Sequence, residues 1–191
     1  MKTNLAAIYH HPGMQSLHEL LGQQNHRTLV LWALETGEEI LKIFESVFPE
    51  DPRPARALAA ADAWSRGEIK MPLAKIAARE THEAARDAKM AKGKLGVDIE
   101  GSRIDAAVAA AHAMGQIIGV VHVGTHATAY AAYAVQAMVL INSRKAPADS
   151  IDPEVSLGPE ESLAEVVKHL SERLTRWASA DKCDRPWAAF L

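Results

Sequence analysis

Two histidines, His122 and His126, stand four residues apart in GVVHVGTHATAY, a stretch without a charged side chain. On a helix this spacing turns both imidazoles to one face, so that a single element offers two ligands to a divalent metal such as zinc or nickel. Val123, Gly124 and Thr125 lie between them. The glutamate of the zinc-protease pattern HExxH is therefore absent, and no Glu-x-x-His pair of a di-iron bundle is present either. A third ligand has to come from elsewhere. His112 lies about 15 Å away along a straight helix, which leaves His26, His82 or Glu80. The competing reading is a pair of neutral core histidines, each bonded to a carbonyl or carboxylate on a facing helix.

Drawn at 100° per residue, His112, His122, His126, Tyr130 and Tyr133 fall within an arc of roughly 80°, together with Gly115 and Gly119. The other side, with Ala113, Ile117, Val120, Val121, Ala127, Ala131, Val135 and Met138, is purely apolar. Glycines on the polar side let a backbone or a ligand come close to the imidazoles. Further polar groups in apolar settings are His26 and Arg27 at a helix start, Arg53 in a turn, and Glu80, His82, Glu83 and Arg86 in ETHEAAR. Charge pairing explains part of that run, since Glu83 and Arg86 are three residues apart. A pocket for a small apolar or anionic ligand, walled by Arg86, Tyr130 and Trp64, is a further expectation. No glycine-rich phosphate loop or nucleophile elbow is present, and Cys183 has no basic, packed setting, so no catalytic residue is assigned.

Composition narrows the classes. Hydrophobic residues make up 48% and charged residues 24% of 191, which suits one globular domain, and a net charge of -3 gives no reason to expect nucleic-acid binding. The single cysteine and the lack of a signal-peptide core at the N-terminus point to the cytoplasm. Between Asp105 and Arg144 there is no Asp, Glu, Lys or Arg, enough chain to span a bilayer. Its three histidines, two glutamines and many alanines make transfer into lipid weakly favourable at best, so no membrane is expected.

Abundant alanine, 5% aromatic residues and no alternating β-branched run predict an all-α fold of about six to seven helices. Residues 1–24 read as a weak leader with one helical turn near Ser16 to Leu21. Residues 25–142 hold the core helices, starting with one capped by Asn25 and carrying Leu29, Trp32, Ala33, Thr36, Ile40 and Phe44 on one face. A short helix follows, with Asp51 as N-cap, Pro52 as first helical residue and an end at Gly67. The next opens at Pro72 and turns Leu73, Ile76, Ala77, Glu80 and Ala84 inward. Ser102 is the expected cap of the uncharged region. As one helix that region is roughly 60 Å long, too long for this chain, so a break is expected at Gly115 to Gly119, giving a central, buried Ala/Gly/His-rich pair. Residues 143–158 read as a surface connection, 159–180 as an amphipathic helix with Leu163, Val166, Val167, Leu170 and Leu174 in a stripe, and 181–191 as a tail. The stripe either closes the core or forms a homodimer.

HRTLVLWALETGEEILKIFESVFPEDPRPARALAAADAWSRGE, ARETHEAAR and VHVGTHATAYAAYAVQA, in this order and spacing, resemble the Imm-5-like immunity proteins of bacteria. The resemblance covers about residues 25 to 140. Its more specific parts are His26-Arg27 with Trp32, the Asp51-Pro52-Arg53-Pro54 turn with Ala63-Trp64, and His122, His126 and Tyr133. Thr36-Gly37 departs from the small residue and cysteine often found there, and the C-terminal helix and tail lie outside the resemblance. It implies a non-enzymatic helical protein that binds and neutralises a cognate protein toxin, with no cofactor. The alternative is a metal-dependent bundle enzyme, similar in outline to the DinB-like proteins, in which His122 and His126 with His26 or His82 activate water or a thiol.

Overall fold

The computed structural model describes residues 4–95, 99–142, 159–180 and 184–191, and among them there are eight helices and no strand. They are α1 (Leu5–Tyr9), α2 (Pro12–Gly22), α3 (His26–Glu45), α4 (Arg53–Ser65), α5 (Met71–Leu95), α6 (Ile99–His122), α7 (His126–Asn142) and α8 (Pro159–Ser179). The count exceeds six to seven because the leader is not weak. Asn4 caps α1 by accepting from Ala7 N–H, His11 Nδ1 caps α2 by accepting from Gly13 N–H, and Ile8, Met14, Leu17 and Leu21 are buried.

Asn25 caps α3 as its sequence position predicts, its side chain accepting from Thr28 N–H at 2.9 Å. The start of α4 is shifted by one residue. Pro52 occupies the cap, and Asp51 instead accepts from the N–H and guanidinium of Arg53. Ser102 caps nothing, since α6 begins three residues earlier.

Helix α6 touches α3, α4, α5 and α7, and its first half meets them with a run of small side chains, Ala106, Ala107, Ala109, Ala110, Ala111 and Ala113, all buried, while Met114, Ile117, Ile118, Val120 and Val121 fill the buried face of its second half. The inward face of α5 answers in kind with Ala74, Ala77, Ala84, Ala85 and Ala88, whereas Leu73 and Ile76, expected inside, are exposed. Leucine-sized side chains would hold the two backbones apart. Short side chains let them approach, and the packing gain comes from many close contacts rather than from large groups.

The uncharged region breaks at Val123–Thr125 and not at Gly115–Gly119. The two glycines stay helical because their missing side chains make room for neighbours: a Cβ on Gly115 would lie 2.8 Å from Thr81 Oγ1, and one on Gly119 2.7 Å from His126 Nδ1. Past the turn, α7 folds back antiparallel on α6. The window Ser102–His122 is long and apolar enough to cross a membrane, and 72% of it is buried inside the bundle.

Helix α8 packs on α2, α3 and α7, and its stripe Leu163, Val166, Val167, Leu170 and Leu174 is buried there. Ion pairs of Arg173 with Glu35 and Glu39, and of Arg176 with Glu35, seam its polar edge to α3. Residues 143–158 and Cys183, assigned from sequence to a surface connection and to the tail, lie outside the described residues.

Candidate interaction site

His122 is the last residue of α6 and His126 the first of α7, so the two do not share a helical face. Both are exposed. His122 stacks on Trp64, ring centroids 5.9 Å apart, while His126 Nδ1 lies 2.9 Å from Gln116 Oε1. The break that separates them removes the geometric premise of a metal held by the pair, and their exposure removes the reading as core histidines. The remaining proposed ligands are elsewhere. His26 Nε2 donates to the Val120 carbonyl at 2.7 Å, satisfying an acceptor in the last turn of α6; Glu80 pairs with Arg56 at 3.1 Å. Among the described residues, no group of three or more His, Cys, Asp or Glu side chains converges on a space for a metal ion.

His82 and His112 meet across α5 and α6 with their Nδ1 atoms 3.1 Å apart, so one donates to the other and at least one imidazole is neutral. Burial holds both below the ordinary histidine range; for His112 the charges of His82 and Lys89 add to it. Tyr133 of α7 stacks on His112 at 5.1 Å. The sequence expectation that His112 and Tyr133 face together thus holds, but between antiparallel helices rather than along one.

Trp32 and Tyr130 are fully buried, edge to face at 5.3 Å. Trp32 Nε1 donates to the Leu170 carbonyl, and the Tyr130 hydroxyl lies 2.6 Å from Thr36 Oγ1, which itself donates to the Trp32 carbonyl. Burial drives the Tyr130 phenol far above its ordinary pKa. These residues hold α3, α7 and α8 together; Tyr130 is enclosed in that packing, whereas Arg86, expected to wall a pocket with it and Trp64, is exposed. Arg53 ties the α3–α4 turn to α5 through Asp51 at 2.7 Å and Asp87 at 2.8 Å, and its guanidinium holds the Asp51 carboxyl below its ordinary value.

The remaining residues singled out from sequence gather at one surface, where the ends of α4 and α6 meet the start of α3. Here Arg27 and Trp64 receive residues 184–191, and His122 stacks on Trp64. Ala188 N–H donates to the Ser65 carbonyl at 2.8 Å, and Arg185 Nη2 donates to Asp62 Oδ1 at 2.9 Å and Ser65 Oγ at 2.7 Å. The guanidiniums of Arg27 and Arg185 lie over the Trp187 ring, 5.2 and 4.9 Å from its centroid. Arg27 Nε donates to the Leu191 oxygen, and Phe190 packs on Trp64 at 5.3 Å. Gly67, the residue with φ of 78°, turns the chain after α4 so that the tail can pass close by. Sequence reasoning missed Asp62, Ser65 and Arg185; the crowding of Trp187 and Phe190 in a short tail was the available signal.

Residues 19–156, well over half of the chain, match the model of the family described as Imm-5 like putative immunity protein. The chain belongs to that family. No curated protein and no solved structure matches it. In this Imm-5-like chain, the residues that carry the family resemblance divide by task. Trp32 and Arg53 hold helices together, whereas Arg27 and His122 are exposed and Trp64 is buried under a tail that lies outside the matched residues.

Proposed function

We propose that this chain is a non-enzymatic immunity protein of the bacterial cytoplasm that neutralises a cognate protein toxin by binding it and occluding its active surface. The observation that carries the reading is family membership across residues 19–156. Binding of this kind draws its energy from a few anchors, and arginine and tryptophan are the side chains most enriched among them. Arg27, exposed with its guanidinium over the Trp187 ring, supplies such an anchor, and the exposed His122 stacks nearby on Trp64, which the tail buries. The reading calls for no cofactor, no nucleic acid and no membrane.

The test is co-expression with the product of the neighbouring gene. That product alone is expected to arrest growth, and this chain to restore it and to form a complex at micromolar concentration. Arg27→Ala with His122→Ala is expected to weaken the complex by about 2 kcal/mol or more, with the helical circular-dichroism signal retained. A harmless product, or one that does not bind at micromolar concentration, would count against the reading.

A further inference from the structure

The tail is a ligand already in place. It meets its surface through peptide-recognition features: a main-chain hydrogen bond to Ser65, two aromatic anchors three residues apart in Trp187 and Phe190, and a cation, Arg185, seated against Asp62. The fit is incomplete. Arg185 Nε is buried without a hydrogen-bond partner, and Phe190 is 51% exposed. An unmet donor and a half-covered anchor are what a better-matched segment would improve on.

A cleft of about 600 Å³ adjoins Arg185 between α3, α4 and α8, and Glu35, Glu38 and Asp62 line it beside Trp177. Glu35 is already paired with Arg173 and Arg176, and Asp62 with Arg66 and Arg185, so it is Asp62 that receives the tail's cation and would receive that of a replacing segment. We propose that Arg27, Asp62, Trp64 and Ser65 form a docking site for a protein segment with two aromatic residues three positions apart and a basic residue two positions before the first, as in the tail, and that Arg185–Leu191 fills this site in cis until the partner displaces it. The proposal rests on the immunity reading in that the toxin is the partner that displaces the tail.

The experiment uses the full chain and a fluorescein-labelled peptide of sequence DRPWAAFL, followed by fluorescence anisotropy. In the wild type the tethered tail competes at an effective concentration on the order of millimolar, so the peptide is expected to bind poorly. In Trp187→Ala/Phe190→Ala the site is vacated and the peptide is expected to bind at least about ten-fold more tightly, as removal of a tethered competitor requires. Adding Arg27→Ala to that variant should reverse the gain. Arg185→Ala, which removes contacts made by the tail alone, supplies the same reading should the double variant fold poorly. Equal binding to wild type and variants, or no binding to any of them, would overturn the proposal. No toxin enters the assay, so its failure and failure of neutralisation are separate results.

Discussion

At the scale of single residues, the polar groups of this protein divide into those that hold the bundle together and those that titrate at its rim. The Tyr130 hydroxyl donates to Thr36, whose own proton goes to the Trp32 carbonyl. Tyr130→Phe removes one donor and strands no other, so it should cost about 1 kcal/mol. Tyr130→Ala also opens a cavity between α3 and α7 and should cost about 3–5 kcal/mol; urea denaturation of both variants gives the comparison. His82 and His112 behave differently. Each binds its proton less readily in the folded chain than in the unfolded one, so below about pH 6.5 the unfolded state holds more protons and stability falls as pH falls, while above that pH it is level. Melting temperature is expected to drop between pH 7.5 and 5.5, and His112→Gln to flatten the drop. His82 and His18, both held low by burial, share the sign and remain in the variant as the residual slope. A drop of the same size in His112→Gln would remove the pair as the origin.

Between elements, closeness of approach decides more than apolarity. A Cβ on Gly37 of α3 would lie 2.5 Å from Ile117 Cδ1 and 3.0 Å from Leu58 Cδ1, both flexible tips. Overpacking costs about 1–3 kcal/mol and alanine returns about 1 through helix propensity, so Gly37→Ala should destabilise by about 1 kcal/mol and Gly37→Leu by considerably more. Thermal melts of the two variants rank them; a stabilised Gly37→Ala would mean that Ile117 moves aside freely. The same principle explains where sequence reasoning succeeded and where it failed. The cap at Asn25, the turn at Gly67 and the stripe of α8 were legible because each is a local signal. The face of α5 is legible at Ala77 and Ala84, which are buried, and fails at Leu73 and Ile76, whose size suggests the core while alanines fill the narrow gap to α6. The break of the uncharged helix was misplaced because glycine weakens a helix locally, yet Gly115 and Gly119 are held by the neighbours they admit. The histidine pair was misread with it, since a break at Val123–Thr125 puts His122 and His126 on different helices. Nothing local in the sequence of Gln116 announces its bond to His126, ten residues on.

Across the whole molecule, the consequence to test is how α8 closes the bundle. Its stripe was compatible with a homodimer or with a core, and in the structure its leucines and valines are buried against α2, α3 and α7, with the Leu170 carbonyl accepting from the buried Trp32 indole. If this packing is part of one cooperative core, Leu170→Ala should cost about 2–5 kcal/mol. The loss should appear equally in Trp fluorescence and in helical circular dichroism, because both probes report one transition. The melting temperature should also be independent of protein concentration, since nothing in this closure draws on a second copy. A stripe spent on dimerisation behaves otherwise: melting temperature rises with concentration by mass action, and the leucine substitution lowers association along with stability. Melts at two concentrations a hundred-fold apart, on the wild type and on Leu170→Ala, therefore separate a helix that completes the core from one that recruits a partner.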